Sequence, residues 1–163
     1  MKTLLLLRHA KSSWKDTDLD DHDRPLNKRG KNEAPRMAQQ ILETGLVPDF
    51  ILSSTAKRAR RTAEAVIEEA KFRGEVRFSI EVYHADRAKL ALLTQETPDQ
   101  YARLLVVGHN PGLEEFLELV TGRCEPLPTA ALAEIGLEIS SWREFSSSTR
   151  GVLRNLWQPR GLD

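Results

Sequence analysis

Short apolar segments that alternate with amphipathic helical segments are the feature that most constrains the fold of this chain. Residues 4–7 are four consecutive leucines, and further apolar segments occupy residues 49–53, 76–82 and 103–107. A strand that is apolar on both faces is typical of a parallel sheet covered by helices on both sides. Because parallel neighbours need a crossover connection, the pattern predicts parallel strands separated by helices.

The segments between the strands carry apolar residues at helical spacing. Three such stripes are Ala34, Ala38, Ile41 and Leu42; Ala63, Val66, Ile67 and Ala70; and Leu113, Phe116, Leu117 and Val120. The first stripe is closed by Gly45, and a weaker helix is expected over residues 87–96. Because proline is tolerated in the first turn of a helix, Pro35 predicts that the first helix begins near Asn32.

The last quarter of the chain changes to a two-residue period. Apolar residues alternate with Glu134 and Glu138 over residues 131–139, which predicts a half-exposed strand, and residues 151–157 are expected to pair with it. The chain is long enough for one compact domain. We therefore predict a single domain over residues 1–163. Its fold would be an α/β three-layer sandwich with a mostly parallel central sheet, helices on both faces and an antiparallel C-terminal edge.

Charge and cysteine content exclude several classes of protein. The 24 Lys and Arg residues balance the 24 Asp and Glu residues, so no overall field attracts nucleic acid or an anionic membrane. The single cysteine, Cys124, rules out an internal disulfide and a multi-cysteine metal cluster. The leucine run stops at Arg8, short of the roughly 7–15 residues of a signal-peptide core. We therefore expect a cytoplasmic protein without a nucleic-acid or membrane partner.

Two histidines directly follow predicted strands. His9 comes after the first strand and His109 after the fourth, and open α/β sheets bind ligands beyond the carboxyl ends of their strands. Arg8 precedes His9, and Arg58 begins the helix after the second strand, where free N–H groups and the helix dipole attract anions. Guanidinium groups match phosphoryl oxygens in bidentate fashion. These four residues therefore predict a cleft that binds a phosphoryl group.

Three short motifs, in this order along the chain, resemble the histidine phosphatase superfamily, which has the phosphoglycerate mutase-like fold. They are residues 7–10 (Leu-Arg-His-Ala), residues 54–59 (Ser-Thr-Ala-Lys-Arg-Ala) with Thr62, and residues 108–111 (Gly-His-Asn-Pro). Residues 11–14 and 23–30 are similar to its small SixA-type phosphohistidine phosphatases. Each motif alone is common, whereas three in order, each after a predicted strand, indicate the family.

The resemblance implies a mechanism in which the phosphoryl group passes to His9 and then to water. Arg8, Arg58 and His109, the last preferably as an imidazolium, would hold the phosphoryl oxygens, over which the transition state spreads its charge. These cations would do what a magnesium ion does elsewhere, so neither a metal nor a cofactor is expected. Lys11 and Arg24 are further candidates for substrate contact, and each is equally consistent with a solvated surface cation.

The motifs do not identify a proton donor for the leaving group. Larger relatives carry a glutamate after the third strand or an aspartate after the second histidine, where this chain has Asn110. Glu81 and Asp86 lie in about the right stretch, but neither is assigned. An alkoxide leaving group needs a proton, whereas the nitrogen of a phosphoramidate can be protonated beforehand. The missing acid therefore favours phosphohistidine as the substrate.

The favoured interpretation is a metal-independent phosphatase that acts on phosphohistidine in a signalling or phosphotransfer protein. Two alternatives stay open: a broad-specificity small-molecule phosphomonoesterase, and, outside the enzymes, a module that binds a phosphorylated partner without turnover. His22 and His84 are expected to be incidental, Trp14 to be a packing residue, and the aspartates of residues 16–23 to be solvated surface.

Overall fold

The fold is a six-stranded sheet flanked by four helices, seen in a computed structural model that describes residues 1–162. The strands are β1 (Lys2–Arg8), β2 (Phe50–Ser54), β3 (Glu75–Ser79), β4 (Arg103–Gly108), β5 (Leu132–Leu137) and β6 (Gly151–Trp157). The helices are α1 (Lys28–Glu43), α2 (Lys57–Glu69), α3 (Arg87–Gln95) and α4 (Gly112–Thr121). Two of the short 3₁₀ turns are Asp21–Asp23 and Ile80–Val82.

The sheet is parallel except at one side. Its strand order is β3-β2-β4-β1-β5-β6, and β1 to β4 run parallel to one another. β5 runs antiparallel to both of its neighbours, β1 and β6. The predicted mostly parallel sheet with an antiparallel C-terminal edge is confirmed.

Helices cover both faces of the sheet, which explains why β1 is apolar throughout. Leu5 and Leu7 pack with α1 and α2, whereas Leu4 and Leu6 pack with α3 and α4, and all four are fully buried. Burying one such side chain contributes roughly 1.5–3 kcal/mol relative to leaving it exposed. The predicted three-layer sandwich is therefore confirmed. Within residues 1–162, no helix has both the length and the hydrophobicity needed to cross a membrane.

Helix α1 begins earlier than Pro35 predicted. Its first residue is Lys28, and the side chain of Asn27 caps it by accepting a hydrogen bond of 2.8 Å from the Gly30 amide. Pro35 consequently lies inside the helix, where it cannot donate to the carbonyl of Lys31. Lys31 is an exposed residue, and the helix continues without a break to Glu43. The expected start near Asn32 was wrong because a good cap outweighed the missing donor.

Strand β5 is buried on both faces, so the expectation of a half-exposed strand was wrong. All six of its residues are buried, including Glu134 at 8% exposure. The strand lies inside the sheet rather than at its edge, and Asn155 of β6 donates a 2.8 Å hydrogen bond to the Glu134 carboxylate. A partner for the carboxylate makes this burial tolerable.

Strand β3 ends earlier than expected and is followed by a turn. The Ser79 hydroxyl accepts a hydrogen bond from the Glu81 amide and so starts the 3₁₀ turn Ile80–Val82. This turn directs the next two residues, Tyr83 and His84, to the carboxyl ends of the parallel strands. His84 has a backbone φ of 59°, a left-handed conformation that is uncommon outside glycine.

Candidate active site

A cleft of about 290 Å³ opens beyond the carboxyl ends of β1 and β4. All six residues singled out in the sequence line it: Arg8, His9, Lys11, Arg24, Arg58 and His109. Arg8 ends β1, Arg58 lies in the first turn of α2, and His109 directly follows β4. The parallel topology therefore brings together groups that are far apart in the sequence, as the position of ligand sites in open α/β sheets predicts.

The orientation of His9 is fixed by a hydrogen bond from one ring nitrogen. Nδ1 lies 2.7 Å from the carbonyl oxygen of Ala10 and, because a carbonyl can only accept, Nδ1 carries the proton. The Ala10 amide in turn donates to the Thr62 hydroxyl, at 3.0 Å. Within residues 1–162, Nε2 of His9 makes no hydrogen bond, so this nitrogen keeps a free lone pair.

His9 is held in its neutral form. The side chain is 6% exposed, and burial lowers its pKa to about 4; the positive charges of Arg58 and Arg8 add to this effect. The hydrogen bond to Ala10 acts in the opposite direction but is outweighed. At neutral pH the ring is therefore an uncharged base, which is the form that can attack phosphorus.

His109 lies beside His9, with ring centroids 5.1 Å apart and planes tilted by 52°. Its Nε2 is 2.8 Å from the Ser54 hydroxyl, and its buried Nδ1 has no partner among the described residues. Burial lowers the pKa of His109 to about 3, with contributions from His9 and Arg58. In this arrangement His109 is therefore neutral, because burial beside the arginines disfavours a further cation; its imidazolium form with a phosphoryl group bound stays a prediction.

Arg58 and Arg24 are joined by a carboxylate that the sequence did not single out. Asp21 accepts from Arg58 Nη2 and from Arg24 Nη1, each at 2.9 Å, and its backbone carbonyl accepts from Arg58 Nη1 at 2.7 Å. The hydroxyl of Tyr83 donates to the same carboxylate at 2.6 Å. Partial burial would raise the pKa of Asp21, but the hydrogen bonds from Tyr83, Arg24 and Arg58 outweigh it and hold the pKa well below its usual range.

Arg8 is anchored from the opposite wall of the cleft. Its Nη1 donates a 3.1 Å hydrogen bond to the carbonyl of Leu127, which also accepts from the Asn110 side chain. Its buried Nε has no partner within residues 1–162. The guanidinium thus retains donors that a bound anion can use.

Lys11 and Arg24 differ in their surroundings. Arg24 is 6% exposed, donates to the Ser12 hydroxyl at 2.5 Å, and lies 3.2 Å from the centre of the Trp14 ring. A solvated surface role is therefore excluded for Arg24, whereas Lys11 is exposed at the rim. Trp14 is 71% exposed and lines the cleft, so its expected role in packing was wrong.

Neither acidic residue considered as a proton donor lines this cleft. Glu81 is exposed and pairs with Lys89 at 3.5 Å. Asp86 caps α3 by accepting from the Lys89 amide at 2.8 Å. Two other residues do line the cleft but were missed or dismissed, namely Asp21 and His84. Nothing in the run of aspartates distinguishes Asp21 from its exposed neighbours. The difference comes from the turn at residues 21–23, which is visible only in the folded structure.

A resident metal has no evident ligand set in the described part of the chain. Within residues 1–162, no group of three or more His, Cys, Asp or Glu side chains is arranged to hold a metal ion. The positive charge of the cleft comes from the guanidinium groups of Arg8, Arg24 and Arg58 and from the ammonium group of Lys11 at the rim, and it is partly balanced by Asp21.

Comparison with known proteins gives a family and several full-length relatives. A family model described as the histidine phosphatase superfamily (branch 1) matches residues 4–87. An uncharacterized chloroplastic protein of Arabidopsis thaliana is 34% identical over 99% of this chain and 77% of its own length. An uncharacterized protein of Picosynechococcus is 31% identical over 98% of both chains.

Solved structures give the same result. SixA of Agrobacterium tumefaciens is 30% identical, with a TM-score of 0.82 over 97% of this chain and 98% of its own. The protein histidine phosphatase SixA complexed with tungstate has the same fold, with a TM-score of 0.84 at 22% identity over 99% of both chains. The family model, the relatives and the three motifs all agree, and the chain belongs to the histidine phosphatase superfamily.

Proposed function

We propose that the chain is a phosphatase that transfers a phosphoryl group to Nε2 of His9 and then to water. The observation that carries this proposal is the state of His9: Nδ1 is tied to the Ala10 carbonyl, and the low pKa leaves Nε2 with a free lone pair. The ring borders a cleft with three guanidinium groups. A neutral nucleophile beside fixed cations is what transfer of a phosphate dianion requires.

Arg8 and Arg58 would hold the phosphoryl oxygens through the transition state. Both line the cleft, and Arg58 is oriented by two hydrogen bonds to Asp21. His109, neutral in the free cleft, would add a further donor, and its imidazolium form with a phosphoryl group bound stays a prediction. Because charge in the transition state spreads over the equatorial oxygens, fixed guanidinium groups stabilise it without the reorganisation that water would need. We therefore propose a metal-independent reaction.

Phosphohistidine on a signalling or phosphotransfer protein is the proposed substrate. Two observations support it: Asp21 is held ionised, and Glu81 and Asp86 are not among the residues that line the cleft, so the described residues of the cleft offer no carboxylic acid to protonate an alkoxide. An alkyl ester has a poor leaving group and depends on a proton donor more than a phosphoramidate does. The Agrobacterium tumefaciens neighbour named SixA is described as a candidate phosphohistidine phosphatase, which agrees with this choice.

A broad small-molecule phosphomonoesterase is the alternative. A 2,3-bisphosphoglycerate-dependent phosphoglycerate mutase of Streptomyces avermitilis is 41% identical over 69 residues, which is 27% of that enzyme. The match therefore covers too little of the mutase to transfer its substrate. A panel of phosphohistidine protein, phosphoserine peptide and sugar phosphates decides between the two, since we expect kcat/KM to be highest for phosphohistidine.

The mechanism is tested by trapping the intermediate. Incubation with radiolabelled substrate in excess chelator should leave acid-labile phosphate on the wild-type protein and none on His9→Ala. Arg58→Ala should reduce both phosphate binding and turnover, whereas Arg61→Ala, an exposed arginine in the same helix paired with Glu64, should change neither. Labelling that persists in His9→Ala, or that disappears with chelator, would overturn the proposal.

A further inference from the structure

His84 lines the cleft, although it was expected to be incidental. It follows the turn after β3, and its ring lies against that of Tyr83, with centroids 3.9 Å apart and planes tilted by 36°. The ring centroid is 6.4 Å from that of His109, which in turn lies 5.1 Å from His9. An exposed imidazole thus borders the same cavity as the buried nucleophile.

We propose that His84 is the proton donor for the leaving group and the base that activates water in the second step. The proposal rests on the phosphatase function proposed above and adds a catalytic residue to it. Imidazole is the side chain whose charge changes most readily near neutral pH, and it can therefore serve in both directions.

The other groups of the cleft are unsuited to this role. Asp21 accepts hydrogen bonds from two arginines and Tyr83 and is held ionised. The hydroxyl of Tyr83 donates to Asp21, and His109 is buried and neutral. Lys11 carries an alkylammonium group, which is a much weaker acid than an imidazolium. Among the described residues that line the cleft, His84 is the one imidazole that is exposed to solvent.

The backbone around His84 is fixed by close packing. Helix α4 begins at Gly112, where an added Cβ would lie 2.0 Å from the carbonyl oxygen of Ala85. Helix and turn therefore touch through their backbones directly beside His84. The left-handed φ of His84 adds to this, since such strain is kept only where the surroundings impose it.

The charged and titratable groups around the ring come from six segments of the chain. Tyr83 precedes His84 in the turn, and His109 faces the His84 ring from the end of β4. Asp86, the cap of α3, and Glu115 of α4 line a side pocket that His84 shares. Arg58 and Asp21 lie across the cleft.

The two half-reactions balance in protons. In the first, Nε2 of His9 forms a bond to phosphorus, the bond from phosphorus to the leaving oxygen or nitrogen breaks, and the cationic His84 gives its proton to that atom. In the second, neutral His84 takes a proton from water as the water oxygen bonds to phosphorus. The bond from Nε2 to phosphorus then breaks, which releases phosphate and restores both histidines.

The test compares leaving groups in wild type and His84→Asn, because asparagine tolerates a left-handed φ. Phosphoserine has a poor leaving group, and p-nitrophenyl phosphate has a good one that needs no proton. We expect kcat for phosphoserine to fall by about 10²–10³-fold and kcat for p-nitrophenyl phosphate to change little. His84→Gln serves as a second variant.

Asp86→Asn is the matched control, because asparagine also caps a helix and Asp86 lines the same side pocket. It should leave both activities near wild type. An equal loss for both substrates in His84→Asn, or a selective loss in Asp86→Asn, would overturn the role of His84 while leaving the phosphatase function intact. Absence of wild-type turnover and of phosphorylated His9 would instead refute the proposed function itself.

Discussion

At the scale of single residues, the groups suited to bind phosphate also keep the nucleophile uncharged. Burial is the largest contribution to the low pKa of His9, and the charges of Arg58, Arg8 and Arg24 add to it. A solvated histidine would be partly protonated near neutral pH and would lose its lone pair. The same guanidinium groups therefore serve both the substrate and the nucleophile.

Removal of Arg58 should raise the pKa of both cleft histidines. Arg58 lowers the pKa of His9 and of His109 through its charge, so Arg58→Gln favours their protonated forms. An NMR titration of the imidazole resonances should give wild-type midpoints near 4 for His9 and near 3 for His109. Both midpoints should move upward in the variant. A wild-type His9 midpoint above about 6 would contradict the assigned neutral state.

Asp21 is expected to act by positioning the arginines. Asp21→Asn keeps the shape but can no longer accept from both Arg58 and Arg24. Because the Asp21 side chain is 40% exposed, we expect a loss of only about 1 kcal/mol in the free energy of unfolding. We expect a larger fall in kcat than change in KM, since Arg58 loses its orientation in the transition state. Asp23→Asn, an exposed neighbour, should change neither quantity; equal effects of the two variants would argue against a positioning role.

At the scale of elements, periodicity predicted most of the helices and strands, and local contacts explain the exceptions. The stripe through Leu113, Phe116, Leu117 and Val120 is fully buried in α4, as its spacing predicted. The start of α1 was predicted wrongly from Pro35, because a propensity rule for proline takes no account of the side-chain cap at Asn27. The charge of Glu134 led to the wrong prediction that β5 is half-exposed, because the hydrogen-bond partner that makes its burial tolerable, Asn155, lies on another strand.

Gly30 allows helix α1 to pack directly against the backbone of the cleft loop. An added Cβ at this position in α1 would lie 2.1 Å from the carbonyl oxygen of Lys11, two residues after the nucleophile. Gly30→Ala should therefore push the loop at residues 10–14 away and lower the free energy of unfolding by about 1–3 kcal/mol. Urea unfolding and turnover should both be impaired. Gly161→Ala, which meets nothing within 4 Å, is the matched control and should behave as wild type.

At the scale of the whole molecule, residues of the cleft could be predicted only where they lie at the end of a strand or at the start of a helix. His9, Arg8 and His109 follow or end strands, and Arg58 begins a helix, so the topology of a parallel sheet brings them together. Asp21 and His84 lie in irregular segments that border the cleft. Such segments have no residue periodicity from which their position in the fold could be predicted. The contacts of Asp21 with Arg58 and Tyr83, and the approach of His84 to His109, depend on tertiary packing that forms only in the folded chain.

Two buried neutral histidines should make the stability of the protein depend on pH. Their pKa values are about 4 and about 3 in the folded state and return to about 6.5 on unfolding, so the unfolded chain binds more protons between these limits. The stability is fully present above pH 6.5 and is lost as the pH falls toward 4. Each proton contributes a slope of about 1.4 kcal/mol per pH unit.

Urea unfolding at intervals from pH 7.5 to pH 4.5 measures this dependence. His9→Gln removes one of the two titrating histidines. The slope of the free energy of unfolding against pH should therefore fall by the contribution of one proton. A free energy of unfolding that stays constant over this range in the wild-type protein would contradict the buried neutral state of both rings.

The central position of β1 has a consequence for synthesis on the ribosome. Residues 2–8 pair with β4 and β5, and β5 is translated more than 120 residues later. At the usual rates of elongation, roughly 6–25 s separate the emergence of the two partners. For most of that interval His9 lacks the Gly108 carbonyl that accepts from its amide, and for nearly all of it the Ala130 amide that donates to its carbonyl. We therefore expect no competent nucleophile, and no activity, before residues 130–137 have been translated.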